Sequence, residues 1–460
     1  MLPLTLMRLR RLSPTLLLTA WLGCVPAPPY YCQDNRACVS SDGTQGLCEP
    51  TGTCSFPDTS CAGSQRRYGA GASATACVPA GNQCIAGLSL GPSHACALRA
   101  DGAVLCWGSN SHGQAGAPLG VARLVTPTPF ALPSKATAVS VGEAHSCAVL
   151  VDGRVMCWGS NDSDDLGNDN SGVASVVPVE VRGPAGASFR ARAIAAGDAH
   201  TCAIAADGGV VSCWGQNWVG EPIGGGQCGQ DPRPSDGGLV ATVPHAMPIA
   251  AAGGVLDSTT GLAVGHHFTC GIGGNSNVYC FGSNHSGYLG SGGLETSSYT
   301  PVVVADLADV AQLAVGAEHA CARRRDGSTW CWGYGGSGSL GLGTTSNAPV
   351  PTRVGRAARV ITGSASYVTC SIDDASLNVQ CWGANDTGQT ATGSTDPVVF
   401  SPTKALFTSV DQLALGNSFG CATTLGGGLW CWGKNDEGQL GQGSVGDSVL
   451  TPRRVDFPCP

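Results

Sequence analysis

The feature that most constrains this chain is a unit that occurs seven times, in which two cysteines flank a turn and an aromatic residue and a glycine follow the second cysteine. One copy reads HSCAVLVDGRVMCWGSN and occupies residues 145–161. Successive first cysteines are 49 to 68 residues apart, a period that fits one four-stranded propeller blade and is too long for a single hairpin. These first cysteines are Cys96, Cys147, Cys202, Cys270, Cys321, Cys370 and Cys421.

Each copy predicts a β-hairpin. Apolar and polar residues alternate on both sides of a turn, and the turn glycine supplies the positive φ that a three-residue hairpin loop requires. If Cys147 lies opposite Cys157, the loop centres on Asp152 and no residue is left over. Where the cysteines are eleven residues apart instead of ten, as in Cys202 and Cys213, the turn has one more residue. Opposed residues of an antiparallel pair lie within the reach of a disulfide.

The spacing therefore predicts one disulfide in each hairpin. The alternative is a set of reduced thiols that act as small buried apolar residues, as is common in the cytosol. A metal site fails because no copy supplies four ligands and the cysteines are spread over seven repeats. The predicted pairs are Cys96 with Cys106, Cys147 with Cys157, Cys202 with Cys213, Cys270 with Cys280, Cys321 with Cys331, Cys370 with Cys381, and Cys421 with Cys431.

The composition predicts an exported globular protein that binds no nucleic acid. The 460 residues include 42% hydrophobic residues, 12% charged residues and 68 glycines, so the chain is rich in turns and long enough for a large core. Twenty-four cysteines predict an oxidising compartment. A net charge of −8 without a basic stripe argues against nucleic acid or an anionic membrane as partner. No motif for a cofactor or metal is present, and none is predicted.

The amino terminus predicts the route of export. Three arginines precede an apolar run, residues 12–22, which is too short for a membrane span and typical of a signal peptide. Cys24 follows in a context that resembles a bacterial lipobox, although Trp21 stands where leucine is usual. Residues 1–24 are therefore predicted to be a signal peptide. Lipidation of Cys24 would make the protein an outer-membrane or cell-surface lipoprotein, and ordinary cleavage would make it extracellular.

Residues 25–87 are predicted to be a cysteine-rich linker or a small disulfide-stapled module, and residues 88–460 hold the repeats. A stalk without a binding role is the alternative for the linker. Lipidation of Cys24 would leave an odd number of cysteines outside the hairpins and hence one unpaired thiol. Spacing does not determine how these remaining cysteines pair; they are Cys32, Cys38, Cys48, Cys54, Cys61, Cys77, Cys84, Cys228 and Cys459.

The repeat resembles that of the regulator of chromosome condensation family. In that family a Gly-x-x-His-Thr segment precedes the hairpin, and Trp-Gly-x-Asn-x-x-Gly-Gln-Leu-Gly follows it. The segment from Trp432 to Gly441 carries the whole second half, and Asn110 and Asn385 begin close variants. Departures are local: Phe281 replaces the tryptophan, while Phe268 and Phe419 replace the histidine. The resemblance covers about four fifths of the chain.

The resemblance implies an all-β fold, namely a seven-bladed β-propeller with a small N-terminal cysteine-rich segment. Propellers avoid exposed strand edges by closing the ring. We expect the terminal strand, residues 452–457, to lie beside residues 85–90 and complete one blade from both chain ends. Cys84 and Cys459 would then form a disulfide latch at this seam.

Recurring polar and aromatic residues are predicted to be structural. The histidines lie at equivalent positions of successive repeats, which favours one hydrogen bond per blade over metal or acid–base chemistry. The tryptophans are predicted to be wedges between blades. Four acids in one loop lack the spacing of a calcium site. These residues are His94, His145, His200 and His319; Trp107, Trp158, Trp214, Trp332, Trp382 and Trp432; and Asp162, Asp164, Asp165 and Asp169.

An insertion in the third repeat, residues 217–261, is the best pointer to a binding site, because long inserts on propeller blades decorate one face. Trp218, Asp231 and Arg233 within it are the predicted partner-binding residues, since an exposed tryptophan beside charges fits a protein-binding hot spot. A glycine-rich bulge without function is the alternative.

The predicted function is an exported, surface-attached scaffold that binds an extracellular or cell-surface protein. Eukaryotic members of the family promote nucleotide exchange on a small GTPase, a partner that an exported chain would not meet. Secreted bacterial relatives that inhibit β-lactamases imply that the same ring serves as a protein-binding platform. The alternative is an extracellular hydrolase or lyase whose site is built from loops of several blades and leaves no linear motif.

Overall fold

The fold is all-β and consists of seven four-stranded antiparallel sheets and one small three-stranded sheet. The computed structural model describes residues 47–48, 54–57, 66–68 and 84–459, except 221–223, 236–237, 250–255, 294, 356–357, 363–365, 374–377, 409 and 425–426. The chain divides into two compact units, residues 1–78 and residues 79–460. The predicted signal peptide, residues 1–24, with the predicted lipidation site Cys24, lies outside the described residues.

The strands follow one another along the chain in sets of four after the small sheet. The small sheet contains β1 (Leu47–Cys48), β2 (Cys54–Pro57) and β3 (Arg66–Tyr68). Blades 1 to 3 contain β4 (Ile85–Leu90), β5 (His94–Arg99), β6 (Val104–Ser109), β7 (Arg123–Phe130); β8 (Ala136–Val141), β9 (His145–Leu150), β10 (Val155–Gly159), β11 (Ser175–Glu180); and β12 (Ala191–Ala196), β13 (His200–Ala205), β14 (Val211–Gln216), β15 (Thr242–Pro248).

Blades 4 and 5 contain β16 (Gly261–Val264), β17 (Phe268–Ile272), β18 (Val278–Ser283), β19 (Ser297–Val303); and β20 (Val310–Val315), β21 (His319–Arg324), β22 (Thr329–Gly333), β23 (Ala348–Arg353). Blades 6 and 7 contain β24 (Ala358–Thr362), β25 (Val368–Asp373), β26 (Asn378–Ala384), β27 (Val398–Thr408); and β28 (Val410–Leu415), β29 (Phe419–Thr424), β30 (Leu429–Asn435), β31 (Gly446–Val455). A short 3-10 turn, Pro184–Gly186, is the one helical element of the described residues. No described helix has the length and apolar character to span a membrane.

The hairpin register is the predicted one. Cys147 lies opposite Cys157 and Val149 opposite Val155, so the loop centres on Asp152. Gly153 adopts a φ of 84°, the left-handed conformation expected for the turn glycine. All seven predicted hairpin disulfides are formed, each with its Cα atoms 4.1 Å apart.

The first strands of the blades form the inner wall of the ring, because each contacts the first strand of the next blade and β28 contacts β4. Antiparallel order then assigns every loop to one of two faces. The loops between the first and second strands and between the third and fourth strands lie on one side, which we call the mouth face. The hairpin turns and the connections between blades lie on the other, which we call the turn face.

The expected mode of ring closure is wrong. β31 is the outer strand of blade 7 and β4 is the inner strand of blade 1, so the two chain ends share no sheet. The physical reason is that every repeat starts at the inner strand and finishes its own blade. The seam is closed instead by the predicted Cys84–Cys459 disulfide and by a hydrogen bond of 3.1 Å from Gln412 Nε2 to the carbonyl of Ile85.

Candidate functional site

The recurring histidines connect neighbouring blades. His94 Nε2 lies 2.9 Å from Ser146 Oγ of the next blade, and the hydroxyl donates onward to the carbonyl of Gln114 at 3.0 Å. The imidazole therefore donates through Nε2. The same contact joins His145 to Thr201 at 2.8 Å, His200 to Thr269 at 3.0 Å and His319 to Thr369 at 2.7 Å.

Burial keeps these four histidines neutral. Desolvation lowers the pKa of His94, His200 and His319 to about 3 and that of His145 to about 4. The glycine that begins each loop is required by close packing, since a Cβ at Gly142 would lie 2.3 Å from Cε1 of His145. The histidines are thus structural groups of the blade junctions.

The other three junctions are apolar on both sides. Phe268, Val368 and Phe419 stand at the histidine position, as their register opposite the glycine of the third strand shows. The hydroxyl position of the following blade is then occupied by Ala320, Gly420 and Ala95, respectively. A histidine therefore occurs only where the next blade offers a hydroxyl.

Six buried tryptophans fix the same junctions from the other side. Each donates its indole N–H to a carbonyl in the mouth-face loop of the preceding blade, at 2.9 to 3.0 Å. They are Trp107, Trp158, Trp214, Trp332, Trp382 and Trp432, all 0 to 1% exposed. Their role as wedges between blades leaves no stacking surface.

The four acids of the second-repeat loop do not converge on a metal. Asp164 accepts a hydrogen bond from Thr242, and Asp169 pairs with His245 at 2.6 Å. Asp165 is buried at the position of the repeat glutamine, and desolvation raises its pKa to about 7. Within the described residues, no group of three histidine, cysteine or acidic side chains could hold a metal ion.

The insertion of the third repeat extends a mouth-face loop without breaking the repeat. Asn217 Oδ1 accepts the backbone N–H of Cys228 at 3.2 Å, as Asn435 accepts that of Leu440 in blade 7. Gln227 and Cys228 thus occupy the Gln-Leu positions of the motif. Cys228 is fully buried and unpaired, and burial raises the pKa of its thiol. It fills a core position that is normally apolar.

The insertion does not lie on one face. The described residues between β14 and β15, namely 217–220, 224–235 and 238–241, lie on the mouth face, whereas residues 249 and 256–260, between blades 3 and 4, lie on the turn face. The three predicted partner-binding residues come together in the first part. The guanidinium of Arg233 lies 4.4 Å above the ring of Trp218, and Asp231 accepts the backbone N–H of Arg233 at 2.9 Å. Trp218 is partly buried beneath Arg233 rather than fully exposed.

A second cluster, absent from the sequence analysis, lies where the inner loops of blades 3 to 6 meet on the mouth face. His266 Nε2 is 3.3 Å from Asp198 Oδ2, and these side chains are 18% and 19% exposed. The ring of Tyr367 lies edge-on to His266 at 6.4 Å and to Tyr334 at 5.6 Å. We call Asp198, His266, Glu318, Tyr334 and Tyr367 the mouth cluster.

Burial and neighbouring charges shift the pKa values of Asp198 and Tyr367 in this cluster. Desolvation raises the pKa of Asp198 to about 6, the charge of His266 lowers it and the carboxylate of Glu143 raises it further. The hydroxyl of Tyr367 donates to Glu318, and its pKa is raised chiefly by burial and then by that carboxylate. The signal that sequence reasoning missed was the variation between repeats: Asp198, His266, Glu318 and Tyr367 occupy the variable positions before the histidine position, and Tyr334 occupies the variable position after Trp-Gly.

Acidic residues dominate the mouth face as a whole. In the described parts of its loops, Arg233 is the only lysine or arginine. The acidic residues there are Glu143, Asp162, Asp164, Asp165, Asp169, Asp198, Asp231, Glu295, Glu318, Asp386, Asp396, Asp436 and Glu437. Basic residues at the turn face include Arg99, Lys135, Arg154, Arg182, Arg190, Arg192, Arg324, Arg325 and Arg353.

A ring of seven stapled blades with a one-sided acidic face defines the class, a disulfide-bonded β-propeller. Two profiles of the regulator of chromosome condensation (RCC1) repeat match the chain, one at residues 85–114, 136–164, 191–220, 310–339 and 410–439, the other at residues 101–149, 152–204, 275–323, 326–371 and 426–459. The chain belongs to this repeat family.

Individual relatives share the repeats over different fractions of their length. The ultraviolet-B receptor UVR8 of Arabidopsis thaliana is 29% identical over 318 residues, which cover 67% of each chain. The E3 ubiquitin-protein ligase HERC2 of Homo sapiens is 28% identical over 315 residues, and the match spans only 6% of it. The crystal structure of Prp20p from Saccharomyces cerevisiae, described with its binding to Gsp1p and histones, superposes with a TM-score of 0.66 at 19% identity, covering 82% of this chain and 88% of Prp20p.

Proposed function

We propose that this protein is an exported scaffold, tethered to the cell surface through lipid on Cys24, which binds a protein partner on its mouth face. The observation that carries the binding role is the extended loop of residues 217–241, which adds the Trp218–Arg233 stack to the acidic face. A rigid, cross-linked ring suits binding because little conformational entropy remains to be lost on association. The binding of Gsp1p and histones by Prp20p supports a protein as partner.

The cysteine inventory supports the tether. Eight disulfides lie within the described residues, an arrangement typical of an oxidising compartment. Within the described residues Cys228 is the free cysteine, which agrees with the one unpaired thiol expected if Cys24 is lipidated. The cysteines that remain are Cys24 and six in residues 25–78, so lipidation of Cys24 leaves an even number to pair.

Metabolic labelling with a fatty acid in a bacterial host tests the tether. The wild-type chain is expected to carry label and to sediment with membranes, whereas Cys24→Ala should lose the label and change fraction. Cys228→Ala is the matched control and should keep both properties. Release of unlabelled wild-type protein into the medium would contradict the tether and leave ordinary secretion.

Affinity capture tests the mouth face as binding surface. Deletion of the whole insertion, residues 217–261, would remove all of β15, so point substitutions are cleaner. Trp218→Ala combined with Arg233→Glu is expected to reduce capture of a saturable partner about tenfold or more, because aromatic and arginine anchors dominate interface energies. Arg325→Glu on the turn face is the control and should leave capture unchanged. Equal loss in both variants would contradict the assignment of the face.

A second candidate is an extracellular hydrolase or lyase, and one observation favours it. Asp198 has a pKa raised to about 6 and lies beside His266, a pairing that suits general acid–base chemistry near neutral pH. Screening hydrolase and lyase substrates with wild-type protein and Asp198→Asn tests this function. Turnover by the wild-type protein that is absent from Asp198→Asn would establish the enzymatic function in preference to the scaffold.

A further inference from the structure

The mouth cluster contains polar atoms whose hydrogen-bonding capacity is not used. Oδ1 of Asp198 is buried, and among the described residues it has no hydrogen-bond partner. The same is true of Nδ1 of His267 and of both polar atoms of the Gln227 side chain, a residue that is 0% exposed. Buried polar groups are nearly always paired in folded proteins. Within the mouth cluster, Asp198 Oδ1 is therefore an acceptor whose donor a ligand can supply.

These groups belong to adjoining loops. A Cβ at Gly282 would lie 2.5 Å from the carbonyl oxygen of His267 and 3.2 Å from the Cα of Gln227, which places Gln227 beside the inner loop of blade 4. The same loop carries His266, which reaches Asp198 of blade 3 at 3.3 Å. The backbone N–H of His266 donates to Ala317 at 3.1 Å, next to Glu318. These contacts place the backbone of Gln227 beside the loop that carries His266 of the mouth cluster.

The chemistry of the cluster favours a cation with several N–H donors. Two carboxylates, Asp198 and Glu318, are combined with the rings of Tyr334 and Tyr367, and cations are attracted both by carboxylates and by the faces of aromatic rings. The cationic side chains of the described mouth face are already engaged: Arg233 lies over Trp218, and Arg123 and Lys434 at the adjoining strand ends pair with Glu437 and Asp436. An anionic ligand would meet repulsion from the whole acidic face.

We propose that the mouth cluster binds the side-chain cation of a lysine or arginine that a basic partner protein inserts at the centre of the ring. This inference rests on the proposed scaffold function and specifies its partner chemistry. The cation would lie between Asp198 and Glu318, with the two tyrosine rings beside it, while the surrounding acids attract the partner's basic surface. Charge complementarity of this kind raises association rates and weakens with salt.

Titration of the purified protein with short peptides, followed by ligand-observed NMR, tests the site without the partner. The probes are acetylated and amidated five-residue glycine peptides with a central lysine, arginine or acetyl-lysine. The lysine and arginine peptides are expected to bind, and the acetyl-lysine peptide, which lacks the charge, should bind at least tenfold more weakly. Equal affinity for all three peptides, or no binding of the charged ones, would overturn the proposal.

Variants locate the site on the face. Glu318→Gln retains an acceptor for the tyrosine hydroxyl, so the protein should fold. This variant is expected to bind the lysine peptide about tenfold more weakly than the wild type. Asp198→Asn provides a second variant with the same expectation. Glu437→Gln removes one mouth-face charge outside the cluster and should change the affinity less than twofold. A loss in Glu437→Gln equal to that in Glu318→Gln would replace the defined site by a diffuse acidic surface.

The outcomes for this site and for the scaffold are separable. If wild-type protein captures a partner that Trp218→Ala with Arg233→Glu loses, yet no basic peptide binds, the cation site is wrong and the scaffold function stands. If the peptides bind with the expected selectivity and no partner is captured, the cation site stands and the scaffold function fails.

Discussion

Two kinds of blade junction hold this ring together, and their difference shows how a repeat tolerates variation. Four junctions place a buried histidine against a hydroxyl of the next blade, as His319 does with Thr369 at 2.7 Å. Three place an apolar residue against alanine or glycine, as Phe419 does with Ala95 across the seam. The histidine N–H is thus present only where a hydroxyl accepts it.

The comparison shows that the two residues that face each other across a junction change together from one junction to another. A histidine without its hydroxyl would bury an unsatisfied N–H, and a hydroxyl without its histidine would lose a partner, each at a cost of about 1–3 kcal/mol. The apolar pairs avoid this cost and gain buried apolar area instead. Of the paired residues at the junctions, only the histidines take up a proton as the pH falls from neutral to acidic. Lowering the pH is therefore expected to destabilise the polar junctions and not the apolar ones.

The largest expected effect is a loss of stability in acid. The four histidines have folded-state pKa values of about 3 to 4, below the unfolded value of 6.5, so the unfolded chain binds more protons and stability falls as pH decreases below 6.5. At pH 5 the loss is about 2 kcal/mol per histidine. His267, whose pKa is lowered to about 4, adds to this loss, while the raised pKa values of Asp165 and Asp198 act in the opposite sense.

Denaturant unfolding at pH 7 and pH 5 measures this loss. Converting one polar junction to the apolar kind, with His319→Phe and Thr369→Ala together, is expected to reduce the difference between the two pH values by about 2 kcal/mol. Phe268→Tyr at an apolar junction is the control and should leave the difference unchanged. Equal pH dependence in the double variant and the wild type would show that the histidine is not the titrating group.

The second effect is the coupling between the two partners of one junction. His319→Phe alone and Thr369→Ala alone are each expected to destabilise the protein by about 1–3 kcal/mol, because Thr369→Ala leaves the imidazole N–H without its acceptor and His319→Phe removes the donor to the Thr369 hydroxyl. The double variant should cost less than the sum by about 1–2 kcal/mol, measured as a double-mutant cycle at pH 7. Additive costs would mean that the two residues act independently.

The smallest expected effect is a difference in stability loss between two polar junctions, of which one has a tryptophan indole as an additional hydrogen-bond donor and the other does not. Ser339 O accepts both Trp382 and Thr369, whereas Gln227 O accepts Thr269 in a blade that carries Phe281 in place of the tryptophan. Thr269→Val is therefore expected to destabilise more than Thr369→Val, by about 1 kcal/mol, because it removes the sole donor that the described residues provide to that carbonyl. Identical costs at pH 7 would show that the indole contributes nothing to this difference.

The sequence predicted the hairpins because spacing and turn length varied together, and the register of Cys147 and Cys157 is the expected one. Ring closure was not predictable in the same way, since spacing does not specify whether the chain ends share a blade. The sequence did not reveal that Gln227 and Cys228 occupy the Gln-Leu positions of the repeat motif, because the insertion separates them from Asn217. The hydrogen bond from Cys228 to Asn217 identifies these positions. The mouth cluster forms from variable residues of four consecutive repeats, which become neighbours only when the blades pack side by side.

The central claim is an oxidised ring with a single buried thiol. Alkylation followed by peptide mapping of the native, unreduced protein tests it most directly. The account predicts that within residues 84–459 only Cys228 is alkylated, and only after unfolding, while Cys84 is recovered linked to Cys459 and each hairpin as its own pair. Alkylation of hairpin cysteines in the native protein would contradict the stapled ring and the oxidising compartment inferred from it.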